Sequence, residues 1–401
     1  MSKLLLRRLN LMKKVVYFFT TVIMLVVTMF SCPDCKTQVH ADDNIFGGFS
    51  SKSYALIDND SGDILYAHNA NQKMPVASIC KLMTTLLTIE NIESGKMTLD
   101  DKLVASAYAC DAEGSQAFLD TGSEYSVKDL LKSVIVASAN DSSIVLAEHI
   151  GGSEENFVKM MNKRAEELGM KNTRYANATG LEKVNQYSTA NDCAIILSEV
   201  SKHDIYKEDC KIWMDKLVHP SGRETELVNT NRLVRYYDNC VTGKTGFTDD
   251  AGYCLVSTAE KNGMNLTAVT LKCKDAPSRF KESIQLFEWG FNNFENKKVV
   301  DKTSVLEFEL PVNKGKTEKV GIAPARDCYV VDKKGADSEI ELKYEIQEQI
   351  NAPVLQGDVV GRIIVLKNGV VCDEIDVITI DNVEKQNYRD VITKIINNWE
   401  F

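Results

Sequence analysis

A serine and a lysine three residues apart, Ser78-Ile79-Cys80-Lys81, open a segment whose apolar residues Leu82, Met83, Leu86, Leu87 and Ile89 mark one face of a helix running to about Asn91. The breaker Pro75 precedes it. This pairing constrains the chain most, because an i, i+3 spacing puts both side chains on one helix face, one turn apart. A lysine in that position, its proton affinity lowered by burial and nearby positive charge, is able to take the proton of the serine hydroxyl. The positive end of the helix then favours the developing alkoxide. Alone, the pattern also describes an ordinary helix cap with a solvated lysine, and it recurs as Ser278-Arg279-Phe280-Lys281. Two further motifs, Ser138-Ala139-Asn140 and Lys244-Thr245-Gly246, each occur once and follow in that order. Order and spacing carry the information that no single motif does.

In this order the motifs resemble those of the low-molecular-mass penicillin-binding proteins, the serine-type D-Ala-D-Ala carboxypeptidases. The similarity extends to Asn59-Asp60-Ser61-Gly62 with Tyr66, the block from Pro75 to Thr84, Leu119 to Gly122, Asn177 to Leu181, and Lys244 to Asp249 followed by Ala251-Gly252-Tyr253. It is strong from about residue 50 to 295 and looser elsewhere. The resemblance implies an α/β, beta-lactamase/transpeptidase-like catalytic domain, an antiparallel sheet with a helical cluster, followed by a small all-β domain.

It also implies roles. Ser78 is the expected nucleophile and Lys81 the general base for acylation, while Ser138 relays the proton to the departing D-alanine and Asn140 holds Lys81 and the substrate amide. Lys244 supplies positive charge near the substrate carboxylate, Thr245 a hydroxyl to bind it, and Gly246 lets the substrate backbone approach the strand. The backbone N–H groups of Ser78 and Phe247 form the expected oxyanion hole. Arg279 matches a family arginine near the carboxylate, although a solvated arginine at a helix N-terminus also fits its position. The implied partners are peptidoglycan stem peptides and, as covalent inhibitors, β-lactams, with no cofactor and no metal. The same motifs serve D,D-endopeptidases acting on cross-links and non-catalytic penicillin-binding sensors, so both stay open here. Other hydrolases fit less well: the sequence has no H-E-x-x-H, no G-x-S-x-G, and no E-x-x-L-N between Asn140 and Lys244.

Composition narrows the setting. The 401 residues, 44% of them apolar, suffice for a large core and two domains. Beyond Ala41 the chain holds 41 basic and 56 acidic residues, a balance of −15 that argues against nucleic acid as a partner. The first 41 residues read as an export signal: Lys3, Arg7, Arg8, Lys13 and Lys14 precede an apolar run from Val15 to Phe30, and Val39-His40-Ala41 offers small residues before Asp42. An uncleaved anchor is the alternative. An exported enzyme at the outer face of the cytoplasmic membrane or beyond is the expected location. Nine cysteines follow Ala41, an odd number in apolar surroundings, which predicts buried free thiols, Cys80 among them pointing off the Ser78–Lys81 face into the core.

Along the chain, a hairpin is expected around Asn59-Asp60-Ser61-Gly62, helices from Ser78 to about His203, strands over 251–258 and 267–272, and a helix over 278–293. After Lys297-Lys298 short strands take over, including 305–310, 328–331, 341–346 and two runs joined by Asn368-Gly369. This gives a signal over 1–41, a catalytic domain over 42–297, a β-rich domain over 298–383 and a tail over 384–401. In the tail Val391, Ile392, Ile395, Ile396 and Trp399 form an amphipathic helix pattern. It predicts either weak apolar attachment to a membrane surface or docking on the β domain.

Overall fold

The computed structural model describes residues 45–397, so the expected export signal and Trp399 lie outside the described residues. Strands β1 (Ser53–Asp58) and β2 (Ile64–His68) form the expected hairpin, with Gly62 at φ 76° in the turn. A 3₁₀ turn, Ala77–Cys80, leads into helix α1 (Lys81–Glu93), and α2 (Val127–Val136), α3 (Asn140–Gly151), α4 (Glu154–Glu167) and α5 (Ala190–Val200) follow. Strands β3 (Cys240–Thr248), β4 (Gly252–Lys261) and β5 (Met264–Cys273) then lead to the long helix α6 (Ala276–Asn293).

Most of these helices start where a short polar side chain caps them: Ser126, Ser153, Thr189 and Asp275 each accept a hydrogen bond from the N–H three residues on. Helices α1 and α3 begin without such a cap, behind Cys80 and Ala139. These two starts carry the S-x-x-K and S-x-N motifs, so the polar side chains that would cap them are directed elsewhere.

The five strands pair antiparallel in the order β2-β1-β5-β4-β3, which leaves β3, the strand of the K-T-G motif, at an edge. Side chains alternate between two cores, as the period of a strand requires. Leu255, Ala259, Leu266 and Ala268 pack with Phe280, Leu286, Phe287 and Phe291 of α6 on one face. Cys254, Val256, Val269 and Leu271 pack on the other with Leu82, Met83 and Leu86 of α1 and Ile196 and Leu197 of α5. A third core lies among the helices, around Leu130, Val134, Val145 and Leu146. The sheet is thus covered by helices on both sides, and α1 is held against it with Ser78 at its leading end.

Beyond α6 the chain is β-rich. Strands β6 (Phe294–Val300) and β8 (Cys328–Lys333) pair with each other, while β7 (Ile322–Pro324), β9 (Ile340–Ile346), β10 (Val359–Lys367) and β11 (Val370–Thr379) form a sheet in the order β7-β11-β10-β9. The Asn368-Gly369 turn joins β10 to β11 as expected, with both residues at positive φ. Residues 305–309, read as strand, are not: Val305 and Phe308 are exposed, and pairing starts at Leu310, where buried Leu310 and Val312 begin the inward alternation. Helix α7 (Tyr388–Asn397) matches the amphipathic tail. Tyr388 is 81% exposed and Val391 and Ile392 are 40% exposed, and the side chains of Ile395 and Ile396 lie outside the described residues.

Candidate active site

The nucleophile candidate sits in a strained turn. Ala77, just before Ser78, has φ 49°, in the left-handed region that costs a non-glycine residue about 1 kcal/mol or more. The turn is wedged between two glycines that no other residue could replace. A Cβ on Gly180 would lie 2.1 Å from the Ala77 carbonyl oxygen, and one on Gly246 would lie 2.4 Å from that of Val76. The requirement for glycine at Gly246 therefore comes first from the protein's own backbone rather than from a substrate approaching the strand.

Lys81 Nζ lies 2.8 Å from Ser78 Oγ and donates at 2.6 Å to the carbonyl of Thr179. The expected hold of Asn140 on Lys81 is not there. Asn140 donates through Nδ2 to Glu113 O and through its N–H to Ser115 O, and its buried Oδ1 has no hydrogen-bond partner in the structure. Support for Lys81 comes instead from residues 177–179. Three successive carbonyls, of Asn177, Ala178 and Thr179, accept from Cys80 Sγ, Thr84 Oγ1 and Lys81 Nζ. Cys80 is 1% exposed and points away from the Ser78–Lys81 face, as predicted.

The second and third motifs meet across the cleft. Ser138, at φ 61°, accepts from Lys244 Nζ at 2.8 Å. Thr245 Oγ1 donates at 2.7 Å to Thr230 Oγ1. Arg279 is buried, not solvated: its Nη1 donates to the carbonyls of Gly246 (3.0 Å) and Cys254 (3.3 Å), and its guanidinium lies over the rings of Tyr253 and Phe280. Phe247 is half exposed and stacks on Tyr253 with ring centroids 4.4 Å apart. Ser78, Ser138, Asn140, Thr245, Gly246, Phe247 and Arg279 line one cleft of about 410 Å³, with Gly114, Ser115, Gly180 and Thr230 completing its walls.

Electrostatics follows from burial. Lys81 is fully buried, and loss of solvent lowers its pKa from the ordinary lysine value to about 7, with Cys80 and Asp141 pulling weakly the other way. Lys244, 3% exposed, is pushed well below the ordinary range by burial, then by the charges of Lys81 and Arg279. The Cys80 thiol, desolvated, is pushed up to about 12, so no thiolate competes with Ser78. A near-neutral amine beside a hydroxyl, with buried positive groups opposite, suits nucleophilic attack on a substrate that brings its own negative charge.

A family profile described as D-alanyl-D-alanine carboxypeptidase, peptidase S11, matches residues 37–275. The chain belongs to this family. The C-terminal domain of penicillin-binding protein 5 matches residues 294–385. The carboxypeptidase DacF of Bacillus subtilis is 34% identical over 350 residues, 87% of this chain and 90% of that protein. DacA of Haemophilus influenzae is 34% identical over 342 residues, 83% of this chain and 86% of that protein. The crystal structure of penicillin-binding protein 5 from Haemophilus influenzae superposes with a TM-score of 0.70 at 32% identity, covering 84% of this chain and 98% of that one. The protein is thus a D-alanyl-D-alanine carboxypeptidase of the penicillin-binding type, a hydrolase.

In this carboxypeptidase the residues that sequence reasoning left without a role are Thr179, Gly180, Thr230 and Asp141. Asn177 to Leu181 stood within the family-like segments, and Asp141 directly follows the S-x-N motif, so two of the signals were adjacent to known ones. Thr230 lies in no motif, and its only local mark is a polar run, Asn229-Thr230-Asn231, ahead of β3.

Proposed function

We propose that the carboxypeptidase removes the terminal D-alanine through an acyl-enzyme on Ser78. The reading is supported chiefly by the 2.8 Å approach of a buried lysine, its pKa near 7, to the Ser78 hydroxyl. Neutral Lys81 takes the hydroxyl proton as Ser78 Oγ bonds to the penultimate carbonyl carbon, and the backbone N–H groups of Ser78 and Phe247 receive the oxyanion. The amide C–N bond breaks as Ser138, in contact with Lys244, passes its proton to the leaving nitrogen of D-alanine and takes up the one that Lys81 gained, which leaves Lys81 neutral. Water then adds to the ester and gives a proton to neutral Lys81, which returns it to Ser78 Oγ as the acyl C–O bond breaks and the shortened peptide leaves. Thr245 and Arg279 bind the terminal carboxylate beside Lys244. The free Oδ1 of Asn140 accepts from the substrate amide, and the edge of β3 pairs with the extended stem.

Intact-mass spectrometry with benzylpenicillin tests the nucleophile. Wild-type protein gains one covalent adduct and Ser78→Ala gains none; an unchanged adduct in the variant rejects the assignment. Release of free D-alanine from a pentapeptide, compared with cleavage of cross-linked muropeptides, separates carboxypeptidase from endopeptidase as the main activity.

The proposed organisation is a catalytic domain over 42–297, a β domain over 298–383 and a tail over 384–401, with export directed by residues 1–41 and action at the outer face of the cytoplasmic membrane. No helix among the described residues is long and apolar enough to cross a membrane. The exposed Tyr388, Val391 and Ile392 on α7 support weak apolar attachment to a membrane surface. Flotation of the signal-free protein with liposomes, with and without residues 388–401, tests it: loss of flotation on truncation supports the anchor, and equal behaviour rejects it.

A further inference from the structure

The chemistry above leaves unused the buried carboxyl that directly follows the S-x-N motif. Asp141, the second residue of α3, is 0% exposed. A carboxylate inside a protein needs donors, and those of Asp141 include the backbone N–H groups of Ala117 (3.0 Å), Leu119 (3.1 Å) and Ser142 (2.8 Å). Asn140 grips the same loop through Ser115 O at 2.7 Å and Glu113 O. Residues 113, 115, 117 and 119 are therefore fastened in alternation to two consecutive residues at the start of α3. Within this stretch Gly114 and Ser115 form a wall of the cleft.

The loop does not take this shape freely. Phe118, between the two N–H groups that reach Asp141, has φ 57° and leaves its ring 58% exposed. A left-handed residue without burial of its own side chain gains nothing locally. It does turn the flanking amides to the same side, making a small anion-binding concavity that the Asp141 carboxylate fills.

We infer that Asp141 is a positioning residue for acylation: it fixes the 113–119 wall of the cleft and places a buried carboxylate at the start of α3, the helix packed against the one that carries the lysine that takes the Ser78 proton. The inference rests on the Ser78–Lys81 reading above. The charged and titratable groups around Lys81 include its chain neighbour Cys80, Glu154 of α4, which accepts from the N–H of Ala178, Lys244 from β3 with Arg279 of α6 beyond it, and Asp141 from α3. Cys80 is held as a neutral thiol, and Lys244 and Lys81 oppose each other's charge. Asp141 is the carboxylate of this set whose pull on Lys81 favours the ammonium formed when Lys81 accepts a proton, so it strengthens the base at the moment of attack.

The test uses the signal-free protein and benzylpenicillin acylation followed over pH. Asp141→Asn keeps the shape but removes the charge and turns one acceptor into a donor facing an N–H. Its acylation rate at neutral pH falls at least about tenfold, and the acid limb moves down by roughly one pH unit. Asp141→Glu keeps the charge, so its acid limb stays within a few tenths of a unit, by order of magnitude, of wild type even where the displaced wall slows the reaction. An unchanged rate in Asp141→Asn, or a slower one whose limb does not move, overturns the proposal. Hydrogen exchange on the wild type reads the wall without any variant: the amides of Ala117 and Leu119 exchange at least about 100-fold more slowly than open-loop amides. Exchange at open-loop rates also overturns it. Adduct formation in Ser78→Ala, by contrast, sinks the nucleophile assignment and leaves the exchange result standing on its own.

Discussion

Around Ser78 the charges are inside: Lys81 and Asp141 are 0% exposed, Lys244 3% and Arg279 9%. In the C-terminal β region most stay outside and in pairs. Arg362 bridges Glu345 and Glu374, Arg326 meets Asp373 and Lys316 meets Glu384, while Ile322, Ile363, Val365, Ile375 and Val377 fill the core. The cleft also holds Ala77 and Ser138 in the left-handed region. Burying cations and straining backbone both cost stability, and neither is needed to fold a sheet-and-helix domain. The β region has neither expense in its core and follows ordinary rules of burial. The difference teaches how a cleft departs from a core: stability is given up where a lysine of lowered pKa meets a serine held in a strained turn, the kind of place where functional sites cluster.

The sharpest way to break this comparison is Lys81→Met. If the buried amine is the base, acylation by benzylpenicillin falls by at least about 10³-fold, while the protein becomes more stable, with a Tm higher by roughly 3 °C or more. The sign follows from linkage. The folded pKa near 7 lies below the unfolded value of 10.5, so the unfolded state binds a proton the folded state lacks between those values. The penalty is full below about pH 7 and fades as pH rises toward 10.5, so the gain from Lys81→Met is larger at pH 6 than at pH 10. A variant that is slower and also less stable at pH 6 contradicts the reading. The same pKa places the acid limb of wild-type acylation near pH 7, with activity rising as the lysine loses its proton.

A smaller effect is expected on the other side. Ile375→Ala removes a fully buried side chain opposite Ile363 and lowers stability by about 2–5 kcal/mol in denaturant unfolding, with the acylation rate of the folded protein unchanged. A changed rate would tie the β region to the cleft chemistry. Arg362→Ala should have the smallest effect, about 0.2–1 kcal/mol, because its pairs with Glu345 and Glu374 are half exposed and screened by salt. A loss several times larger would mean that the surface pairs, and not the apolar core, hold this region together.

Local features are legible in the chain itself. Asn59-Asp60-Ser61-Gly62 and Asn368-Gly369 announce their turns, and the apolar spacing after Ser78 announces α1, because each is decided by neighbours a few residues apart. The motifs named Ser78, Lys81, Ser138, Lys244 and Thr245, and these residues do converge. What the sequence could not specify is which group meets which. Lys81 reaches the Thr179 carbonyl across 98 residues, Lys244 reaches Ser138 across 106, and Asn140 turns to Glu113 instead of Lys81. Burial of Arg279 likewise depends on α6 lying against the sheet beneath β3 and β4. Type and order of residues therefore determined the fold family and the pairing of Ser78 with Lys81 one turn away. Tertiary packing alone decided the partners and the proton affinities, because both depend on which distant dipoles and charges share a space from which water is excluded.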